Sequence, residues 1–97
     1  MATVHIPALL RDLTGDAEQT EVEIPTGQAI TVADLLRRLE RRFPGLSERL
    51  VDEERLVPGM AVFIGDEQAR MGLLAKVRQE DEVYFVAPIV GGINPEG

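Results

Sequence analysis

Thr31-Val32-Ala33-Asp34-Leu35-Leu36-Arg37-Arg38-Leu39-Glu40-Arg41-Arg42-Phe43-Pro44-Gly45 is the stretch on which the fold turns. Val32, Leu35, Leu36, Leu39 and Phe43 recur at steps of three and four, so a helix over residues 32–43 carries all five on one apolar stripe. Thr31 is a good N-cap, and Asp34, three residues on, puts an acid beside the positive end of the helix dipole. Pro44-Gly45 ends the helix. Arg37, Arg38, Arg41 and Arg42 take the opposite side, partly balanced by Asp34 and Glu40, and read as a solvated face. A single amphipathic helix must bury its stripe against another layer, and the flanking sequence supplies strands.

Upstream, Thr3-Val4-His5-Ile6 alternates, with Val4 and Ile6 on one face, and stops at Pro7. His5 is the only histidine; with no cysteine beside it, it reads as a strand-surface residue rather than a metal ligand. Ala8-Leu9-Leu10-Arg11-Asp12-Leu13 forms a helical turn before the turn signal Thr14-Gly15-Asp16, and Leu9, Leu10 and Leu13 are expected to close one end of the core. Thr20-Glu21-Val22-Glu23-Ile24 alternates with its glutamates outward, the pattern of an antiparallel strand with one wet face.

Downstream, Ser47-Glu48-Arg49-Leu50-Val51 makes a further turn with Ser47 as its cap, followed by a polar loop over residues 52–59. Met60-Ala61-Val62-Phe63-Ile64 is a near-continuous apolar run and reads as a strand buried on both faces. Gly65-Asp66-Glu67 turns, Leu73-Leu74-Ala75-Lys76-Val77 makes a short helical turn, and Val83-Tyr84-Phe85-Val86 is the last strand. The order predicts an α+β domain of two layers, a mixed sheet with one main helix packed across it. The helix returns the chain for another pass, so the first and last strands can lie parallel at the sheet centre.

Composition narrows the function. Ninety-seven residues with 44% hydrophobic content make one domain with a small core. The absence of cysteine removes disulfides, thiolate metal sites and thiol catalysis. No apolar run reaches membrane-span length and no signal-peptide layout opens the chain, so a soluble cytoplasmic protein without membrane contact is expected. The net charge of −7 disfavours nucleic acid and favours partners with basic surfaces. Nine arginines stand against a single lysine, Lys76.

The chain closes with Ala87-Pro88-Ile89-Val90-Gly91-Gly92-Ile93-Asn94-Pro95-Glu96-Gly97. Pro88 has no N–H to continue a ladder, and the two glycines have no side chain to obstruct a narrow channel. Residues 1–90 are expected to form the domain. Residues 91–97 are expected to form a flexible tail: the glycine pair and a five-residue extension.

Four stretches together resemble the ubiquitin-like β-grasp sulfur carriers of the MoaD and ThiS type. They are Val4-His5-Ile6-Pro7 with Leu9-Leu10-Arg11-Asp12-Leu13-Thr14-Gly15; Thr31-Val32-Ala33-Asp34-Leu35-Leu36; Glu80-Asp81-Glu82-Val83; and Pro88-Ile89-Val90-Gly91-Gly92. Phe43-Pro44-Gly45-Leu46-Ser47-Glu48-Arg49-Leu50-Val51-Asp52 is most similar to the CysO-type carrier used for cysteine synthesis in actinobacteria. The resemblance implies a protein that is acted upon rather than an enzyme. An adenylating enzyme of the MoeB/ThiF type would use ATP to join AMP to the Gly92 carboxylate, and a sulfur donor would displace AMP to leave a thiocarboxylate. That group would serve a sulfur-accepting enzyme in cysteine, cofactor or natural-product biosynthesis. No bound cofactor is implied; Val90 and Gly91 would belong to the tail that enters the enzyme.

This sequence departs from the family where Ile93-Asn94-Pro95-Glu96-Gly97 follows Gly92, placing that carboxyl in an amide. Similar carriers in natural-product pathways are trimmed by a zinc metallopeptidase, and the same removal is expected here, against the plainer reading of an overhang. Two other functions fit the resemblance. A ubiquitin-like protein modifier would join other proteins through Gly92, although Lys76 alone could extend lysine-linked chains. A small subunit of a molybdopterin-synthase-like complex would dock through an apolar patch, for which Met60, Tyr84 and Val86 are the candidates.

Overall fold

The computed structural model describes residues 1–86, apart from the side chain of Leu9. Among the described residues, nine strands and two α-helices follow in order, with 3-10 turns at Ala8–Leu13 and Gly72–Leu74. The strands are β1 (Ala2–His5), β2 (Gln19–Val22), β3 (Ala29–Thr31), β4 (Val51–Asp52), β5 (Arg55–Leu56), β6 (Ala61–Ile64), β7 (Glu67–Gln68), β8 (Lys76–Arg78) and β9 (Glu82–Val86). The helices are α1 (Val32–Arg42) and α2 (Leu46–Leu50). Five strands make one mixed sheet in the order β2-β1-β9-β6-β7, and β3-β8 and β4-β5 form separate two-stranded ladders. No helix among the described residues is long and apolar enough to cross a membrane.

The expected centre is present: β1 and β9 run parallel, with Val4 opposite Val83 and His5 opposite Tyr84. β6 pairs antiparallel on the other side of β9, setting Val62 against Phe85 and Ile64 against Val83. Period-two alternation sends Ala2, Val4, Val22, Val62, Val83 and Phe85 to the inner face, where all are buried. Val32, Leu35, Leu36 and Leu39 of α1 join them in one core with Leu10, Leu46, Leu50 and Val77. This is the mixed sheet with one helix across it that the stripe and strand order predicted, and the β-grasp arrangement that the resemblance implied.

Local chemistry fixes α1 at both ends. The Thr31 hydroxyl accepts from the Asp34 N–H at 3.1 Å, and the Val32 N–H donates to the Ala75 carbonyl at 2.9 Å, tying the helix start to the approach to β8. Beyond Pro44, Gly45 takes a φ of +97°, a left-handed conformation that suits glycine. The Glu40 carboxylate then accepts from the N–H groups of Gly45 and Ser47 at 2.8 and 2.9 Å. These two bonds, the Gly45 contact first, hold the Glu40 carboxyl below its ordinary range. The start of α2 is thus held by a side chain of the preceding helix, and Ser47 lies inside the helix rather than capping it.

Four further expectations need correction. The strand at residues 61–64 is buried on one face only, because Ala61 and Phe63 point to the outer side and stay partly exposed. Residues 73–77 divide into the 3-10 turn and β8, which pairs with the unforeseen β3. The loop at residues 52–59 holds part of a tight hairpin, β4 against β5, whose turn residues Glu53 and Glu54 have φ of 52° and 65°. Such turns ordinarily announce themselves with Asn or Gly, and this one does not. Last, two arginines of α1 do more than solvate a face. Arg38 and Arg42 donate to the backbone carbonyls of Glu23 and Glu21, each at 2.7 Å. Residues four apart on a helix and two apart on an extended chain share a similar spacing, so the pair covers one acceptor of the edge strand β2 and one just beyond it.

Candidate functional site

The outer face of the central strands carries a different chemistry from the inner one. Thr3 and His5 of β1, Glu82, Tyr84 and Val86 of β9, and Ala61 and Phe63 of β6 all point outward. The His5 and Tyr84 rings stack, centroids 4.1 Å apart and planes within 5° of parallel. One oxygen of Glu82 holds both rings: His5 Nε2 lies 2.8 Å from it and the Tyr84 hydroxyl 3.1 Å. An ionised carboxylate only accepts, so the imidazole carries a proton on Nε2. The His5 bond foremost, and then the Tyr84 bond, lower the Glu82 pKa. The hydrogen bond to Glu82 raises that of Tyr84, with desolvation and the nearby charges of Glu82 and Asp66 adding to it.

Phe63 sits opposite Tyr84 and Ala61 opposite Val86 across the β6–β9 pairing. The apolar part of this face therefore lies toward the end of β9 from which the sequence continues to Gly91-Gly92, while Glu82 stands at the other end. Val86 is 43% exposed, one of the few large apolar side chains left open. A continuous apolar area with fixed aromatic rings and a carboxylate rim is suited to another protein's surface rather than to covalent chemistry.

Of the three residues expected to form a docking patch, Tyr84 and Val86 are here. Met60 is parted from them: it precedes β6 with the inward parity of Val62 and packs, half-buried, against the core. The face also includes His5, Phe63 and Glu82, which sequence reading did not assign to it. Their signal was available only jointly, as odd positions of alternating strands whose register brings them together. Val90, Gly91 and Gly92, and the expected tail over residues 91–97, lie outside the described residues.

A second concave region runs between α1 and β2, with a volume of about 840 Å³, lined by Glu21, Glu23, Asp34 and the four arginines of α1. Most of its arginines are already engaged: Arg37 pairs with Asp34, and Arg38 and Arg42 donate to the backbone carbonyls of Glu23 and Glu21. It is a structural seam.

Comparison with known proteins places this geometry. One chain from the Amycolatopsis orientalis BexX/CysO complex superposes with a TM-score of 0.83 at 33% identity, covering 95% of this chain and 100% of that one. Mycobacterium tuberculosis CysO superposes at 0.78 with 26% identity, covering 92% of this chain and all of that one. SAMP1 from Haloferax volcanii gives 0.68 at 25% identity, covering 94% and 98% of the two chains. No curated protein matches by sequence. The family-level match spans residues 4–92, nearly the whole chain and ending on the second glycine: the protein belongs to the ThiS family and has the fold of the ubiquitin-like sulfur carriers and modifiers.

Proposed function

We propose that this protein is a cytoplasmic sulfur carrier whose working group is the Gly92 carboxyl, exposed after removal of residues 93–97. The observation that carries the reading is the extent of the family match, which runs to Gly92 and leaves Ile93-Asn94-Pro95-Glu96-Gly97 outside it. A carboxylate is a poor electrophile; an adenylating enzyme of the MoeB/ThiF type, using ATP, converts it to a mixed anhydride whose AMP is a good leaving group. A sulfur donor displaces AMP, and the thiocarboxylate passes its sulfur to a biosynthetic enzyme. Sulfur held at the chain end needs no cysteine, in keeping with a chain that has none. The carrier binds no cofactor of its own in this scheme. Only a terminal carboxylate can attack the α-phosphate of ATP, so the extension is trimmed first, and the resemblance to natural-product carriers makes a zinc metallopeptidase the class of enzyme for that step.

The outer face around Tyr84, Phe63 and Val86 is the docking surface for the activating or sulfur-accepting partner. Its support is that the same strand, β9, bears the face and leads toward Gly91-Gly92, so that docking and delivery of the chain end are coupled. A partner with an apolar centre and basic rim matches the face and the net charge of −7.

The test compares the full chain with a version ending at Gly92, each incubated with an adenylating enzyme, ATP and a sulfur source. Intact-protein mass spectrometry should show one oxygen exchanged for sulfur in the short form alone, and Gly92→Ala should remove most of the exchange. The likeness to SAMP1 supports a second reading, a protein modifier. Isopeptide linkage of the short form to lysines of other proteins, without thiolation, would select it.

A further inference from the structure

The groove between α1 and β2 is lined by Arg37, Arg38, Arg41 and Arg42, yet little negative charge faces them. Val22 and Ile24 are buried, so alternation turns the Glu21 and Glu23 side chains to the outer side of the sheet, and the groove meets their backbone. The Glu40 carboxylate is taken by the N–H groups of Gly45 and Ser47. That leaves four guanidinium groups against the single carboxylate of Asp34, on a chain whose net charge is −7. Among the described residues, Arg38, Arg41 and Arg42 have no carboxylate within ion-pair distance.

The open polar groups along this groove are mainly donors. Arg38 and Arg42 each spend one Nη1 bond on a carbonyl, which fixes the guanidinium groups, removes two acceptors and leaves further N–H groups unused. In an antiparallel edge strand a residue's N–H points to the same side as its carbonyl, so the Glu21 N–H is a further donor beside Arg42. A wall of donors suits groups that only accept, as ionised carboxylates do, and the guanidinium fork matches them. The spacing adds a shape. Arg37 and Arg41, like Arg38 and Arg42, are four residues apart, about 6 Å along the helix. Alternate residues of an extended chain are about 6.6 Å apart. Arg38 and Arg42 already display that match, reaching alternate carbonyls at 2.7 Å.

We propose that this groove holds an extended acidic segment of a partner protein, whose carboxylates at alternate positions are received by Arg37 and Arg41. Arg41 has no ion-pair partner to leave among the described residues, and the Arg37–Asp34 pair is exposed and therefore weak in water. The net charge of −7 argues against nucleic acid as the occupant. Because α1 packs on the inner face of the sheet, the groove and the outer face around Tyr84 belong to opposite layers. A partner tethered by its acidic segment leaves the outer face open to a second protein. This holds whether or not Gly92 carries sulfur.

The probe is a synthetic peptide of about seven residues, alternating glutamate and threonine, which in extended form covers the roughly 16 Å of α1. Titrated into the full chain at low ionic strength, it should shift the NMR amide signals of residues 21–23 and 37–42 to saturation. The same peptide with lysine in place of glutamate should leave them unmoved. Arg37→Glu combined with Arg41→Glu should weaken binding at least about tenfold. Arg55→Glu combined with Arg70→Glu makes the same charge change at exposed positions that do not line the groove, and should weaken it less than about twofold. Both double variants spare Arg38 and Arg42, which hold backbone carbonyls, and unchanged melting checks the fold. Any of these results would overturn the proposal: no saturable shift, shifts confined to other surfaces, equal losses in the two double variants, or tighter binding of a short oligouridylate, which would make the groove a nucleic-acid site. None of them bears on thiolation of Gly92, which is scored separately by mass.

Discussion

The two faces of one sheet answer different demands. On the inner face, Val4, Val83, Phe85 and Val62 meet the leucines of α1 in a dry aliphatic layer. On the outer face, the same three strands present His5, Tyr84, Glu82 and Phe63, with the His5 and Tyr84 rings held by one oxygen of the Glu82 carboxylate. A substitution at one residue reaches a different layer from a substitution at the next. The buried core and the proposed docking face are thus separated by a single step along β9.

The largest effect is expected on the inner side. Leu39 is fully buried in the α1 stripe, and Leu39→Ala should lower stability by about 2–5 kcal/mol, the range for truncating a buried leucine. Chemical denaturation measures it; a loss below about 1 kcal/mol would show that the stripe is not the core that the comparison requires. Next, Thr31→Ala removes the hydroxyl that accepts from Asp34 N–H, and should cost about 1 kcal/mol by the same measurement. Thr31→Asp keeps an acceptor and should retain most of the stability.

Outer-face changes should be nearly silent in stability. Val86→Ser is expected to stay within about 0.5 kcal/mol of the parent while weakening association with the activating enzyme, read by titration calorimetry. Equal losses in folding and binding would erase the distinction between the faces. The smallest effect is a pH dependence. Glu82 has its pKa lowered in the folded state by its His5 and Tyr84 bonds, so its contribution is present above the unfolded carboxylate value and fades as pH falls through the lower folded value. Glu82→Gln should flatten the acid limb of the stability curve slightly, and the His5 ring signals should shift in the same variant by NMR.

Much of the inner side was legible in the chain. The five-residue stripe, the Thr31 cap and the alternation at residues 3–6 and 20–24 are local patterns, and each leads to its element. The outer face was half legible: Tyr84 and Val86 were placed together, Met60 was grouped with them although it turns inward, and His5, Phe63 and Glu82 were not assigned to it. Alternation states that neighbours in a strand face opposite ways, but it is silent on which strand lies alongside. The β4–β5 hairpin and the β3–β8 ladder escaped for another reason. Two- and three-residue strands carry too few alternations to register, and Glu53-Glu54 lacks the usual turn residues.

By itself the sequence determined the helix, its cap, the faces of the first two strands and the glycine pair, because each depends on residues within one or two turns of chain. Only the tertiary structure decided that His5 stacks on Tyr84, 79 residues later in sequence, and that Glu82 binds both. It also decided that Glu40 holds the start of the following helix and that Arg38 and Arg42 cover the β2 edge. The physical reason is common to all three. A hydrogen-bonding side chain has several acceptors or donors of equal chemistry available to it, and the one it takes is set by strand register and helix placement, which the buried apolar surface fixes first.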